Sequence, residues 1–378
     1  MDRRDFLTGA AVAATAWAVK DVAFPTEASA QAVPGQTLAP SVWSRHAQWV
    51  KTAAQTDSDP YGTGVAVGEA IRAGGYAAVD LTVRDGGHVR PALVATNLPL
   101  MLQGIRSTGA ICTMIGTNFG PPSDPTNTAW IASQFVHEIL SVAGANGITK
   151  YRYNNAGNTV PSFPANTFGQ QMTTLLDGVR INHRRLAAIN AQYGGMQGVA
   201  HTHGGNIGTM VEPYTYSMQG IDPKLIGINF AMDHVAPAAP GGWPILLRRS
   251  FPYVGNVCVE DLVATVNATT GALSISNVRP PGATGLGGGV VNWATFYSTL
   301  RLGGYSGFSE SQLEYSIIGG TGTSVSLNNA AFADSSQFTS GQLTPAIMIG
   351  EFKVNSDFIR ARALAGGWPA AHRHRTAR

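Results

Sequence analysis

Short apolar runs alternate with longer stretches in which apolar residues recur at helical spacing, from about residue 67 to residue 315. The short runs predict buried strands, and the longer stretches predict amphipathic helices. Their alternation is typical of βα units that build a parallel sheet. The strands predicted in this way are 77–83, 110–116, 148–153, 198–203, 225–232, 254–261 and 308–315. An eighth strand is expected before Val67, at a position that the pattern does not fix.

The predicted helices span 67–73, 98–108, 127–145, 168–193 and 293–302. Three of them end at glycine pairs, which take the left-handed conformation at a helix end at little cost. Eight βα units that close on themselves form a (β/α)8 TIM barrel, and this is the fold we predict. The alternative is a doubly wound open sheet, which the lack of a glycine-rich phosphate fingerprint after the first strand disfavours.

The same pattern divides the chain into segments. The barrel is predicted to cover 65–320, after an N-terminal segment 31–64. Residues 321–345 are rich in Ser, Thr, Asn and Gly and are predicted to form a polar loop, and 346–378 form a C-terminal segment.

Residues 1–30 have the features of a twin-arginine signal peptide. Arg3-Arg4 is followed by Phe6-Leu7, by a weakly apolar stretch, and by the small residues Ala28-Ser29-Ala30. The apolar stretch is shorter than the roughly 20 residues that a membrane span requires. We therefore expect the twin-arginine export machinery to be a partner, a periplasmic or secreted mature protein, and no stable membrane anchor.

Composition excludes some classes of protein. The chain has 25 Lys and Arg against 22 Asp and Glu, so no excess of positive charge favours a nucleic acid partner. The two cysteines, Cys112 and Cys258, lie in apolar strand-like runs. A secreted domain stapled by disulfides would carry more cysteines, so we predict buried thiols.

Polar residues collect where the predicted strands end, which is where TIM-barrel active sites are built. Arg84 and His88 follow one strand, and Arg152 lies in another. His201 and His203 share one strand face because side chains alternate with a period of two.

Three later strands end in the same manner, with Asp233-His234, Glu260-Asp261 and Glu314. One such residue is more often a hydrogen-bonded structural group than a ligand, but four strand ends around one mouth indicate a site. Histidine nitrogens mixed with carboxylate oxygens suit a divalent transition metal. Such an ion polarises a carbonyl or hydroxyl, and a nearby carboxylate or histidine removes the proton beside it.

Five segments resemble a known family, and they span roughly residues 65–315. They are Val79–Val89 (Val-Asp-Leu-Thr-Val-Arg-Asp-Gly-Gly-His-Val), His201–Gly204, Ile226–His234 with Gly241–Pro244, Val259–Asp261 and Leu313–Tyr315. Together they resemble the xylose isomerase-like barrels of the sugar phosphate isomerase/epimerase family, above all exported members similar to 3-keto-glycoside lyases. The first segment is the most specific of the five.

The resemblance implies a divalent metal ion (Mn, Co, Mg or Zn) in the barrel mouth. Its expected ligands are His203, Asp233, His234, Asp261 and Glu314, and Glu314 and His203 are the expected catalytic residues. The expected substrate contacts are Arg84, His88, Arg152, His201 and Trp243; a structural ion-pair network is an equal alternative for the first three. The chain departs from the family's pattern at one position, because Ala231 stands where the family has a metal-binding Asp. Asp233 lies two residues on, on the same strand face, and could take its place.

These observations predict a metal-dependent enzyme that abstracts a proton next to a sugar carbonyl. Isomerisation, epimerisation and β-elimination share that step. Export favours an unphosphorylated sugar or a 3-keto-glycoside as the small-molecule substrate. The alternative is a non-catalytic carbohydrate-binding barrel, which Ala231 favours. A metal-dependent nuclease is disfavoured by the balanced charge.

Overall fold

The computed structural model describes residues 36–153, 164–205, 207–271, 273–280, 290–329 and 331–369. The predicted signal peptide lies outside the described residues. The strands are β1 Leu38–Trp43, β2 Ala78–Thr82, β3 Ile111–Gly116, β4 Lys150–Tyr153, β5 Gln197–His201, β6 Ile226–Ala231, β7 Val254–Val259, β8 Asp261–Val266, β9 Leu273–Val278, β10 Gly307–Ser311, β11 Ser316–Ile318 and β12 Ser324–Ser326.

Helices follow most of the barrel strands. They are α1 Ala53–Ser58, α2 Pro60–Ala73, α3 Val94–Ser107, α4 Gln134–Ala145, α5 Phe168–Gln192, α6 Glu212–Met218, α7 Met232–Ala238, α8 Trp243–Ser250, α9 Trp293–Leu302, α10 Ser336–Thr339 and α11 Pro345–Ala365. Short 3-10 helices add to these, among them Ser44–Val50 directly after β1. No helix of the described part is long and apolar enough to cross a membrane.

Eight strands close a barrel in the order β1-β10-β7-β6-β5-β4-β3-β2. Every pair is parallel, so the carboxyl ends of all eight strands surround one mouth. The predicted (β/α)8 barrel is confirmed.

The eighth strand, which the pattern did not place, is β1. Leu38 pairs with Gly307 of β10, and Ser41 pairs with Ala78 of β2, so β1 joins the two ends of the sheet. The barrel therefore begins at Leu38, earlier than the predicted boundary at residue 65. Proline and serine interrupt the apolar run of β1, which hides it from a search for apolar strands.

The core lies between the barrel and its helices, where Ile71, Val79, Leu98 and Met101 are fully buried. Helices α2 and α3 touch through glycine, because a side chain on Gly104 would overlap the Tyr61 carbonyl oxygen. Such contact brings the two backbones together without an intervening side chain.

The structure also contains elements that were not predicted. An antiparallel hairpin, β8–β9, follows β7 at the mouth. Strands β11 and β12 pair within the region 316–326, and helix α10 follows, so the predicted polar loop 321–345 has regular structure of its own. Helix α11 packs Phe352 against Tyr76, with ring centroids 5.9 Å apart. Cys112 and Cys258 are free thiols, as predicted.

Candidate active site

Three carboxylates meet at the barrel mouth. Asp233, Glu260 and Glu314 each place one carboxylate oxygen within 4.8 Å of the others. Asp233 lies in the first turn of α7, just past β6, and Glu260 follows β7 directly. Glu314 comes from the loop after β10. We call these three residues the carboxylate cluster.

The surrounding chain holds Glu260 more firmly than Asp233. Glu260 Oε1 accepts a hydrogen bond of 3.0 Å from the backbone N–H of Glu314. Its other oxygen accepts from the Asn277 side chain on β9, so the hairpin orients this carboxylate. Asp233 is only 4% exposed, and its carboxylate oxygens make no well-formed hydrogen bond to a described residue, although the nearby backbone N–H groups of Asp233 and His234 lower its pKa. Its Oδ2 lies 3.2 Å from His234 Nε2.

Burial and mutual repulsion make the charged form of this cluster unfavourable. Burial, more than any neighbouring charge, raises the pKa of Asp233 to about 7. Burial also raises the pKa values of Glu260 and Glu314, and the Asp233 charge adds to both increases. A cation placed among the three would remove the penalty, because opposite charge favours the ionised form.

Three histidine rings lie beside the carboxylate cluster. The ring centroids of His203 and His234 are 4.4 Å apart, and that of His201 lies 5.7 Å and 5.6 Å from them. His203 Nδ1 lies 2.8 Å from the Gly204 carbonyl oxygen, which accepts its N–H, so Nε2 is the ring nitrogen left for another partner. Burial and the neighbouring His203 lower the pKa of His234 to about 4, so this ring is neutral. Neutral imidazoles are metal ligands and proton acceptors.

Four of the five predicted metal ligands are thus brought together: His203, Asp233, His234 and Glu314. Asp233 supplies a carboxylate to the cluster although residue 231 is alanine.

Asp261 does not join them. Its Oδ1 accepts hydrogen bonds from Trp293 Nε1 and from the Leu262 backbone, both at 3.0 Å. Glu260 occupies the cluster in its place. Strand parity could have identified Glu260: Cys258 points into the barrel, where its Sγ lies 3.2 Å from Asn229 Oδ1, and residue 260 shares that face.

The predicted substrate contacts divide into two groups. His201 lies in the histidine group, where Asn229 Nδ2 donates to its Nδ1 at 3.2 Å. His88 is buried, and its Nδ1 contacts the Ser44 and Thr82 hydroxyls at 3.1 and 3.2 Å, which gives it a structural position beneath the mouth. Trp243 is also buried, and its ring packs against Phe296 of α9 at 6.1 Å. The structure therefore places His88 and Trp243 in the packing around the site.

Arg84 and Arg152 surround Trp43, a residue that the sequence did not single out. The guanidinium carbon of Arg152 lies 4.5 Å from the centre of the Trp43 ring, that of Arg84 4.9 Å and that of Arg45 5.4 Å. The alternative of an ion-pair network around Arg84, His88 and Arg152 finds no support among the described residues, where no carboxylate lies within 4.0 Å of either arginine. The sequence did not point to Trp43 because β1, the strand that carries it, could not be placed.

A layer of buried polar groups fills the barrel below the mouth. Glu310 Oε1 and Oε2 accept from Gln312 Nε2 at 2.9 Å and from Asn256 Nδ2 at 3.1 Å. Asn256 also donates to Asn229, which in turn contacts His201. These bonds connect the barrel interior to the histidines, and they hold the floor of the site in one arrangement.

Solved structures with this fold were found by comparison. They include a xylose isomerase-like TIM barrel protein from Mycobacterium smegmatis in complex with magnesium (TM-score 0.55, 13% identity, 88% of this chain and 98% of that one). A xylose isomerase domain protein from Alicyclobacillus acidocaldarius has a TM-score of 0.53 and 11% identity, over 88% of this chain and all 100% of that one. D-allulose 3-epimerase from Methylomonas sp., in complex with D-allulose, has a TM-score of 0.53 and 13% identity, over 86% of this chain and 98% of that one.

At this level of identity the comparisons show the fold, which is that of the xylose isomerase-like TIM barrels. No protein-family model matches the sequence, and no curated protein sequence matches it.

Proposed function

We propose that this protein is a divalent-metal-dependent enzyme that abstracts a proton next to the carbonyl of a sugar or 3-keto-glycoside. The observation that carries the proposal is the carboxylate cluster, three carboxylates within 4.8 Å of one another at the mouth of the barrel. Isomerisation and epimerisation are the leading reactions, and β-elimination from a 3-keto-glycoside shares the same first step. We also propose export by the twin-arginine route, on the strength of residues 1–30.

The residues present fit a divalent ion. Asp233 has two buried carboxylate oxygens that make no well-formed hydrogen bond to a described residue, and a metal ion would satisfy them. Asp233, Glu260 and Glu314 would hold the ion, with His203 or His234 as a nitrogen ligand. The bound ion supplies Lewis-acid polarisation of the substrate's carbonyl oxygen. Magnesium in the Mycobacterium smegmatis protein of the same fold supports this choice of cofactor.

The chain's own residues then supply proton transfer. Glu314 is half-buried at the mouth, and a carboxylate oxygen of Glu314 that does not hold the ion would be placed to accept a proton. It takes the proton from the carbon beside the carbonyl. His203 is exposed at the mouth, and its Nε2, which does not bond to Gly204, provides a second group for proton transfer. Epimerisation returns a proton to the same carbon on its other face, and isomerisation returns it to the neighbouring carbon.

A similar fold carries a sugar epimerase, since D-allulose 3-epimerase from Methylomonas sp. is among the solved structures. That supports a sugar substrate here. The non-catalytic carbohydrate-binding alternative depended on Ala231, and the position of Asp233 in the cluster supports the enzyme over it.

The test is product formation. Purified protein loaded with Mn²⁺ is incubated with hexoses, glycosides and 3-keto-glycosides, and the products are identified by mass spectrometry and NMR. We expect an isomer, an epimer or an elimination product from at least one substrate. Glu314→Gln should form none and remain folded. Glu212→Gln, a control at a glutamate of α6 outside the cluster, should keep full activity. A Glu314→Gln variant with near-normal activity would contradict the assigned role.

His203 has a separate test. His203→Ala should lower the metal content of the purified protein if its Nε2 is a ligand, as measured by elemental analysis. Unchanged metal content together with lost turnover would assign it to proton transfer instead.

A further inference from the structure

One side of the barrel mouth carries three arginines around a single tryptophan. Trp43 ends β1, and the guanidinium carbons of Arg45, Arg84 and Arg152 lie within 5.4 Å of its ring centre. We call these four residues the arginine face. They come from the carboxyl ends of β1, β2 and β4, so they share the mouth with the carboxylate cluster.

Among the described residues, the arginine face has no ion-pair partner, because no carboxylate oxygen comes within 4.0 Å of any of the three guanidinium groups. Arg84 has one neutral partner, Asn118 Oδ1 at 3.2 Å. Arg152 is only 3% exposed, and its Nε has no acceptor in the part of the chain that the structure describes.

Two internal segments outside the described residues, 154–163 and 281–289, contain no Asp or Glu, so neither can supply a pairing carboxylate.

Two buried acids, Asp80 and Glu310, lie within electrostatic range of Arg152. Asp80 and Arg152 both face the space above Gly116, where an added Cβ would lie 3.2 Å from Asp80 Oδ2 and 3.4 Å from Arg152 Nη2. Burial raises the pKa values of Asp80 and Glu310, and the Arg152 charge lowers both by less than burial raises them. Two acids, neither within ion-pair distance of the arginines, leave net positive charge on the three guanidinium groups of the arginine face.

Positive and negative charge are therefore separated across one mouth. Arg45 is close enough to Glu314 to lower the pKa of that carboxyl, although burial outweighs it. Arg152 likewise lowers the pKa of His201 and of His234, after the larger effect of burial. The arginine face and the carboxylate cluster thus border the same space, within electrostatic range of each other.

A buried guanidinium without an anion is unfavourable, because the charge loses its water and gains little in return. The tryptophan ring offsets part of this cost through cation–π contact. Planar guanidinium groups match the oxygens of carboxylate and phosphate in pairs. We propose that the arginine face binds an oxyanion carried by the substrate, so that the substrate is an acidic sugar with a carboxylate or phosphate group.

This inference takes the sugar substrate from the proposed function, on which it rests, and adds that the sugar carries an acidic group. The anionic end of the substrate lies against the arginine face, and its carbonyl end lies at the carboxylate cluster. If the chain is exported, a sugar acid is favoured over a sugar phosphate, because sugar phosphates are mostly intracellular.

Calorimetric titration tests the inference. D-glucuronate, D-glucose 6-phosphate and D-glucose are titrated into the purified protein and into Arg84→Gln, Arg45→Gln and a control, Arg249→Gln. Arg249 lies on α8 with its side chain 65% exposed. We expect at least one acidic sugar to bind about ten- to a hundredfold more tightly than glucose, the range of one charge-assisted hydrogen bond. Both half-buried arginine variants should lose this preference, and Arg249→Gln should keep it.

The two acidic sugars identify the anion. Tighter glucuronate binding assigns a carboxylate, and tighter glucose 6-phosphate binding assigns a phosphate. Equal binding of all three sugars by the wild type would overturn the inference, and so would an unchanged preference in folded Arg84→Gln and Arg45→Gln. A separate Mn²⁺ titration without sugar reports on the proposed function: protein that binds Mn²⁺ but prefers no acidic sugar loses only this inference.

Discussion

Replacing Glu314 by glutamine should stabilise the metal-free protein and abolish its stabilisation by metal. The Glu314 carboxylate lies within 4.8 Å of Asp233 and of Glu260. Two unit charges at that separation repel by about 3.5 kcal/mol at an effective dielectric constant of about 20. Two such pairs would repel by about 7 kcal/mol if all three groups carried a full charge. Partial protonation relieves much of it, because burial raises the pKa of Asp233 to about 7.

We therefore expect Glu314→Gln to raise the free energy of unfolding of the metal-free protein by about 1–2 kcal/mol. In a chain of 378 residues, about 1 kcal/mol changes Tm by roughly 1.3 °C, given an unfolding entropy of about 2.1 cal/mol/K per residue. The metal-free Tm should accordingly rise by about 2 °C. In the wild type, a divalent ion at about 100 times its Kd should add about 2.7 kcal/mol, or roughly 3.5 °C.

The assay is differential scanning calorimetry near pH 7.5, with EDTA-treated protein and with added Mn²⁺. The variant should melt above the wild type without metal and should gain under about 1 °C with it. The control Glu212→Gln should follow the wild type in both conditions. A variant that melts lower without metal, or that keeps the full shift with Mn²⁺, would refute the electrostatic reasoning.

Three further predictions concern other parts of the chain. Asn277→Ala should weaken Mn²⁺ binding about ten- to a hundredfold by calorimetry, because Asn277 orients a cluster carboxylate, whereas Ser276→Ala on the same strand should not. Gly104→Ala should lower the free energy of unfolding, measured by urea denaturation, by about 1–3 kcal/mol, because the added side chain would overlap α2. Gly350→Ala should not lower it, because position 350 in α11 has open space around it. Burial lowers the pKa of His183 from 6.5 to about 3, so the unfolded chain binds a proton below about 6.5 that the folded chain excludes. Below about pH 6.5, His183 should therefore lower the free energy of unfolding of the wild type by about 1.4 kcal/mol per pH unit. Between about pH 6.5 and 5, the free energy of unfolding of His183→Gln should fall by less than that of the wild type. Equal losses in wild type and variant would contradict the neutral buried state.

Most of the barrel could be predicted because short, largely apolar segments alternate with helical patterns along the chain. Strands β2 to β7 all overlap a predicted strand. β1 could not be placed, because Pro40 and Ser41 interrupt its apolar residues and its pairing with β10 is remote in sequence. The hairpin β8–β9 was missed even though four of the six residues of β8 are apolar.

The candidate site was predictable as a region and less so residue by residue. The strand-end rule located His203, Asp233 and Glu314, because every barrel strand delivers its last residues to the same mouth. The choice between Glu260 and Asp261 depended on which face of β7 turns inward, and a resemblance between segments does not carry that information. Trp43 lay beyond prediction because its strand was unplaced.

Proton exchange with solvent tests the central claim most directly. The Mn²⁺-loaded protein is incubated in D₂O with ketoses, 3-keto-glycosides and acidic keto-sugars, and the sugars are then analysed by NMR and mass spectrometry. We predict deuterium at a carbon next to the carbonyl of at least one sugar, with no incorporation after EDTA treatment or in Glu314→Gln. Folded, metal-loaded protein that leaves these C–H bonds unexchanged in every sugar would contradict a proton-abstracting carboxylate cluster.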